Sequence, residues 1–262
     1  MKVSLRVSFR RGDPANPLDS VLRDAKQIGF DGIELMLDPD EPLKPGWKGP
    51  WSSQDVSPEL RDEFRKSSEK HGVEIATLST DWAWAYSQFC PRLDQWERGI
   101  ELINSDLDLA RDLGSKAILM HVGHSKGSWE EVKSIVARCA EHGGKVGVKV
   151  GFEGNIFARI GLGGLEALIR LVDEVDNPWF GVYGHCSWPR GTMRDHEEIE
   201  LIGQRLLCMH SSALDFRVDY ERKFQALKKV GYDYYWVFEV EPDWDLARKN
   251  NAELRYLMAK HL

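Results

Sequence analysis

Glutamate and histidine residues recur at one kind of place in this sequence, the carboxyl end of a short apolar run. The second run carries Glu34 within it, and five later runs end in such side chains: His121, Glu153, His185, His210 and Glu239. The last four belong to four consecutive runs. Two carboxylates and two imidazoles that meet at one point form a suitable site for a divalent metal ion. We therefore take Glu153, His185, His210 and Glu239 as candidate metal ligands.

The mixed donor set also bears on which ion such a site would take. Carboxylate oxygens favour Mg²⁺ or Mn²⁺, whereas imidazole nitrogens favour Mn²⁺, Fe²⁺, Co²⁺ or Zn²⁺. We expect one divalent ion, with Mn²⁺ preferred and Mg²⁺, Co²⁺, Fe²⁺ or Zn²⁺ as alternatives. Taken alone, each residue is also explained by a salt bridge or by a hydrogen-bonded core histidine. Their matched placement on consecutive runs favours the metal site.

Eight short β-rich runs alternate along the whole chain with longer amphipathic stretches. The predicted strands are Lys2–Phe9, Gly32–Leu37, Val73–Ser79, Ala117–His121, Val148–Glu153, Trp179–Gly184, Leu207–His210 and Tyr235–Glu239. The predicted helices are Leu18–Ile28, Pro58–Lys70, Leu93–Leu113, Ser128–His142, Leu165–Val175, His196–Leu206, Asp219–Lys228 and Trp244–His261. This alternation predicts parallel strands with helical crossovers. Eight units in 262 residues favour an α/β fold, a single (β/α)8 TIM barrel domain over residues 1–262.

Glycines at the ends of predicted helices support these boundaries. Gly29, Gly72, Gly114 and Gly231 each follow a helix, where a residue in the left-handed conformation is needed. No G-x-G-x-x-G sequence follows the first strand, which argues against dinucleotide binding. In a barrel of this type the active site lies at the carboxyl ends of the strands, and the glutamates and histidines lie there too.

Composition and charge argue against several partners. No apolar run approaches the roughly 18 residues of a membrane span, and the first residues read as a strand rather than a signal peptide. We expect a cytoplasmic protein with no membrane partner. A net charge of -7 argues against nucleic acid, which is bound mainly through Lys and Arg. The four scattered cysteines are expected to be free thiols: Cys90, Cys139, Cys186 and Cys208.

Two predicted loops on the ligand-binding side of the barrel are rich in aromatic residues. The loop 38–57 contains Trp47 and Trp51, and residues 81–86 read Asp-Trp-Ala-Trp-Ala-Tyr. Long loops in compact domains are often functional. These aromatic side chains either pack against the barrel rim or form a wall on which a sugar stacks, and the sequence leaves both interpretations open.

The sequence resembles the xylose isomerase-like barrels, which include sugar phosphate isomerases and epimerases, ketose 3-epimerases, hydroxypyruvate isomerase and inosose dehydratase. The resemblance covers essentially the whole chain. It is carried by residues 28–35 (IGFDGIEL), 109–114 (LARDLG), Phe152-Glu153, residues 180–183 (FGVY), Met209-His210, and the segment from Gly231 to Glu239. The resemblance implies that Glu153, His210 and Glu239 bind one divalent metal ion together with a residue of the sixth strand.

The sequence departs from the family pattern at three positions. The sixth strand has His185 where the family usually has an aspartate. Three positions later the chain has Trp188 where the family often has a histidine. The aspartate of the His-x-x-Asp motif on the seventh strand is replaced by Ala213. An imidazole in place of a carboxylate makes the site less anionic and shifts its preference toward softer ions. These departures leave the substrate open.

The resemblance implies an isomerase or epimerase that abstracts a proton next to a carbonyl group while a metal ion stabilises the enediolate. Glu153 and Glu239 are expected to take and return the protons. We expect Glu34 and His121 to orient substrate or ligands, Trp188 to contact the substrate, and Arg217 to hold a hydroxyl or anionic group. A solvated surface position is an equally good interpretation of Arg217.

Other functions stay open at this point. The same enolate would expel a β-substituent in a lyase, dehydratase or eliminase acting on a keto-sugar or keto-glycoside, and Trp188 would suit a bulky aglycone. A DNA-repair endonuclease would need further His and Asp ligands and a basic groove, which the acidic net charge argues against. A non-catalytic binding barrel, or an inactive subunit of a heteromer, is the third alternative. We expect a small carbohydrate as the partner. The sequence leaves open whether the chain forms a homo-oligomer.

Overall fold

Eight parallel strands follow one another in chain order around a closed barrel. The computed structural model describes residues 1–9, 18–37, 53–80, 93–120, 128–153, 163–185, 195–215, 217–239 and 243–262. The strands are β1 (Lys2–Phe9), β2 (Gly32–Leu37), β3 (Glu74–Thr80), β4 (Ala117–Met120), β5 (Lys149–Glu153), β6 (Phe180–His185), β7 (Leu206–Ser211) and β8 (Tyr235–Phe238). The predicted fold is therefore confirmed; β1 and β2 have the predicted bounds, and the bounds of the other strands differ by at most one residue.

Helices connect successive strands and surround the barrel. Within the described residues they are α1 (Leu18–Ile28), α2 (Pro58–His71), α3 (Leu93–Leu113), α4 (Trp129–Val146), α5 (Leu165–Val175), α6 (Asp195–Ile202), α7 (Tyr220–Lys229) and α8 (Trp244–His261). Ser128 caps α4 in a capping box with Glu131, which satisfies backbone donors at the helix start. In the part of the chain that the structure covers, no helix has the length and hydropathy required to cross a bilayer.

One helix ends earlier than its sequence pattern predicted. The pattern predicted a helix over His196–Leu206, but α6 ends at Ile202, a 3₁₀ turn covers Gly203–Arg205, and β7 begins at Leu206. Gly203 has a φ of 60°, a left-handed conformation that favours glycine and stops the α-helix. The glycines predicted to follow helices, Gly29 and Gly72 among them, also have positive φ angles.

The barrel closes where β1 pairs with β8. Leu5 of β1 lies opposite Phe238 of β8, and on its other side β1 pairs with β2, with Arg6 opposite Glu34. β1 therefore lies between the strand that carries Glu34 and the strand that precedes Glu239. This closure brings the first and last strands of the chain to one side of the barrel mouth.

Apolar side chains fill the barrel below the mouth, in a cluster separate from the larger core between strands and helices. This inner cluster contains Ala76, Ala117, Leu119, Tyr183, Leu207, Cys208, Tyr235 and Val237. Gly151 makes room for it, because a Cβ atom at that position would overlap the Tyr183 ring. Of the four cysteines, Cys139 and Cys208 are buried free thiols, and burial raises the pKa of Cys139 to about 12. Cys90 and Cys186 lie outside the described residues.

Candidate metal centre

Strand pairing places the four candidate ligands at the same end of the barrel. His185 is the last residue of β6 and lies opposite His210 of β7. Glu153 is the last residue of β5, and Glu239 directly follows β8. Because all the strands are parallel, these carboxyl ends meet at one mouth, where barrel enzymes carry their active sites.

His210 lies at the centre of this group. Its Nδ1 atom is 3.0 Å from Oε1 of Glu153 and 3.1 Å from Oε1 of Glu239. Its Nε2 atom is 2.9 Å from Oε2 of Glu34. The imidazole is fully buried, and the Tyr183 ring packs against it in a T-shaped arrangement with the ring centroids 5.1 Å apart. One histidine thus contacts three carboxylates from three different strands or strand ends.

His185 and Glu239 form the more accessible side of the group. Nε2 of His185 is 2.8 Å from Oε2 of Glu239, and the two side chains are 14% and 15% exposed. Glu239 therefore faces His185 with one oxygen and His210 with the other. A small molecule entering the mouth would meet this pair before it met the buried His210.

Arg6 of β1 joins the centre, although the sequence analysis did not select it. Its Nη1 atom donates a hydrogen bond to Oε1 of Glu239, and its Nε atom lies 4.0 Å from Oε1 of Glu34. The same Nε atom donates to the sulfur of Met36 at 3.2 Å. The signal was present in β1, because a charged residue alternates there with the buried apolar residues Leu5 and Val7.

Thr77 of β3 is the second residue that the sequence analysis missed. Its hydroxyl donates a 2.7 Å hydrogen bond to Oε2 of Glu34, and both side chains are fully buried. The register between β2 and β3 shifts here: Ile33 lies opposite Ile75, but Glu34 lies opposite Thr77. The extra residue in β3 is a β-bulge, and it breaks the strict alternation on which the sequence pattern depends.

Neighbouring charges control the ionisation of these side chains. Burial lowers the pKa of His210, but the charges of Glu34 and Glu239 outweigh it and raise that pKa well above its usual range. Burial raises the pKa of Glu239, but His210, His185 and Arg6 outweigh it and hold that pKa well below its usual range. Without a metal ion, a protonated His210 thus balances part of the buried negative charge.

The donor atoms are close enough to share a cation. Among the residues that the structure describes, two groups have ligand atoms that all lie within 4.8 Å of one another: one is Glu153, His185 and Glu239, and the other is Glu34, His210 and Glu239. Nδ1 of His210 also contacts the two carboxylates of the first group. Carboxylate and imidazole donors suit Mn²⁺ and related divalent ions, and the surplus of buried carboxylates would be balanced by such an ion. The residues present therefore fit a divalent metal ion.

Not every predicted site residue joins this group. Arg217 has a side chain that is 69% exposed and pairs with Asp215 at 2.5 Å. This ion pair holds the pKa of Asp215 at about 2. Arg217 therefore lies at the surface and makes none of the contacts that join the four candidate ligands. His121 and Trp188, two further predicted substrate contacts, lie outside the described residues.

Comparisons with known proteins identify the same architecture. The sequence matches the family described as xylose isomerase-like TIM barrel over residues 22–260. A D-psicose 3-epimerase from Clostridium cellulolyticum H10, crystallised with D-tagatose, superimposes with a TM-score of 0.76. It is 14% identical, and the alignment covers 98% of this chain and 99% of that one. The 3-keto-D-glucoside 4-epimerase of E. coli is 16% identical with a TM-score of 0.72, covering 97% and 100% of the chains.

A more local similarity links the sequence to a nuclease. "Probable endonuclease 4" of Thermotoga maritima is 24% identical over 113 residues, which is 43% of this chain. The matched stretch spans 37% of that protein's length. The two epimerase structures are only 16% and 14% identical to this chain, so their similarity shows the fold alone.

Proposed function

Because this chain belongs to the xylose isomerase-like TIM barrel family, we propose that it is a divalent-metal-dependent carbohydrate isomerase or epimerase. The observation that carries this proposal is the convergence of two carboxylates on one imidazole nitrogen. Glu153 and Glu239 approach Nδ1 of His210 to 3.0 and 3.1 Å at the mouth of the barrel. A family of this fold places its chemistry at that mouth.

In this proposal the side chains of the centre bind the metal ion and transfer protons. Glu153, His185, His210 and Glu239 would hold the cation, with Mn²⁺ preferred because the donors are both oxygen and nitrogen. The bound cation would act as a Lewis acid toward the substrate carbonyl and its neighbouring hydroxyl. Glu153 and Glu239 come from different strand ends, so one carboxylate can remove the proton next to the carbonyl and the other can return it. Burial excludes bulk water from Glu153 and His210.

The test combines metal analysis with proton exchange. The protein is loaded with Mn²⁺, and ketoses and keto-glycosides are incubated with it in D₂O. Exchange of a substrate C–H proton with recovery of an isomer would support the proposal. Glu239→Gln should lose at least about 10³-fold in exchange rate while keeping its thermal unfolding transition, since it removes a positioned base. Glu97→Gln, which alters an exposed ion pair with Arg138, is the matched control.

Other outcomes identify the alternatives. Exchange accompanied by fragmentation of the substrate would make the chain a lyase or eliminase acting through the same enolate. Incision of an oligonucleotide at an abasic site would favour a nuclease, although the net charge of -7 makes a nucleic-acid partner unfavourable. A protein that binds neither metal ion nor sugar would be a non-catalytic barrel and would contradict the proposal.

A further inference from the structure

We propose that Thr77 and Glu34 are positioning residues of the metal centre. In this proposal the Thr77–Glu34 pair fixes the orientation and the tautomer of His210. The inference rests on the proposed function, because it takes His210 as a metal ligand. It assigns a role to Thr77, and it makes Glu34 a partner of the histidine rather than a contact of the substrate.

The contacts form a chain through the buried side of the centre. The Thr77 hydroxyl donates to Oε2 of Glu34 at 2.7 Å, and the same oxygen lies 2.9 Å from Nε2 of His210. All three side chains have no exposed surface, so a substrate in the barrel mouth cannot touch Glu34. The charge of Glu34 is partly compensated by Arg6, whose Nε atom lies 4.0 Å from Oε1. Glu34 therefore acts on the centre through His210.

The chemistry of the carboxylate decides which nitrogen of His210 carries the proton. A neutral imidazole has one N–H and one lone pair, and an ionised carboxylate can only accept hydrogen bonds. With Glu153 and Glu239 engaged by the cation, Glu34 would be the carboxylate left to accept from the imidazole, and it would place the proton on Nε2. The lone pair is left on Nδ1, which faces Glu153 and Glu239. Such outer partners of metal-bound histidines orient the ring and strengthen it as a ligand.

A β-bulge puts Thr77 in reach of Glu34. Ile33 lies opposite Ile75, whereas the next residue, Glu34, lies opposite Thr77, so Ala76 is the extra residue of β3. Without that extra residue, Ala76 would occupy the position opposite Glu34 and no hydroxyl would reach the carboxylate. Bulges often redirect a side chain next to a functional site.

Glu34 is itself a possible ligand, because Glu34, His210 and Glu239 form the second group of close donor atoms. Two observations favour the outer role. Oε2 of Glu34 already contacts both Thr77 and His210, and Glu34 has no exposed surface. A cation held by Glu34 would have no side open to a substrate, whereas Glu239 and His185 keep 15% and 14% of their side chains exposed.

The test measures the dissociation constant for Mn²⁺ by calorimetry on the full chain. Thr77→Val keeps the shape of the side chain but removes the hydroxyl, and Thr77→Ser keeps the hydroxyl. We expect Thr77→Val to weaken Mn²⁺ binding about tenfold, the lower end of the effect of losing an outer partner, because Thr77 acts on His210 through Glu34. Thr77→Ser should stay within about threefold of the unsubstituted protein, because the hydroxyl bond is retained. A merely structural role for Thr77 would not separate the two variants at equal thermal stability.

A second measurement needs no substitution. In the Zn²⁺-loaded protein with ¹⁵N-labelled histidine, NMR should show His210 protonated at Nε2 and metal-bound at Nδ1. Metal bound at Nε2 would overturn the proposal, as would equally tight Mn²⁺ binding by Thr77→Val and the unsubstituted protein. Failure of the unsubstituted protein to bind any divalent ion would overturn the proposed function as well, so the two failures are distinguishable.

Discussion

Arg6 donates a hydrogen bond to Glu239 across the seam where the first strand closes the barrel against the last. The two residues are 233 positions apart in the chain. The guanidinium helps to keep Glu239 ionised. Its Nε atom also lies 4.0 Å from Oε1 of Glu34. A permanent positive charge is thus part of a centre otherwise made of carboxylates and imidazoles.

Removing the positive charge of Arg6 should change how turnover depends on pH in the acidic range. In Arg6→Gln the pKa of Glu239 should rise, because an opposite charge next to the carboxylate is lost. We expect the acid limb of the turnover profile to move to higher pH, so that the loss relative to the unsubstituted protein grows as the pH falls and is smallest at pH 8. Arg6→Lys retains the charge and serves as the control. Identical pH profiles for all three proteins would show that Arg6 has no electrostatic effect on Glu239.

Metal binding should release a proton from His210. The pKa of this imidazole lies well above its usual range, so the metal-free protein carries the proton at neutral pH. A cation bound at Nδ1 must displace it, and affinity should therefore rise with pH, about tenfold per pH unit for one proton. Calorimetry at pH 7 in buffers of different ionisation enthalpy measures the release. His71→Gln, which alters a histidine of α2 paired with Asp19, should leave it unchanged. Affinity independent of pH would argue against His210 as a ligand.

The identity of the residue at position 185 should control which metal ion is preferred. His185→Asp restores a third carboxylate, a harder ligand than imidazole. We expect the ratio of the dissociation constants for Mg²⁺ and Zn²⁺ to shift toward Mg²⁺ by about tenfold or more. His185→Asn removes the imidazole without adding charge and is the matched control. If both variants keep the original preference, His185 does not contact the ion.

A buried carboxyl of α3, outside the groups of candidate ligands, should make stability depend on pH. Asp106 of α3 is fully buried. Burial raises its pKa to about 7 from 3.8, an effect that the nearby Ser53 offsets only in part. The folded state therefore holds a proton that the unfolded state releases. Stability is lost as pH rises between these two values, by up to about 4 kcal/mol above pH 7.

Asp106→Asn should remove this loss. Urea unfolding at pH 8 should show a free energy of unfolding higher by up to about 4 kcal/mol, with a smaller gain at pH 5. Asp108→Asn on the same helix alters a carboxylate paired with Arg111 and His142, and it should not reproduce the gain. An equal change at both pH values would indicate that Asp106 is ionised throughout.

The sequence by itself determined the order of the elements and the end of the barrel at which chemistry can occur. Strand and helix periodicities are local, and parallel strands with helical crossovers bring their carboxyl ends together. That reasoning selected Glu153, His185, His210 and Glu239 as neighbours, and their side chains do meet in the structure. Their roles as ligands and bases stay a proposal.

Only the tertiary structure decided which further side chains complete the centre. Thr77 reaches Glu34 because of a bulge in β3, and a bulge reverses the alternation from which facing residues are predicted. Arg6 reaches Glu239 because the barrel closes between β1 and β8, a pairing between the two ends of the chain. Both depend on the register between neighbouring strands, and register is set by contacts that no local pattern contains.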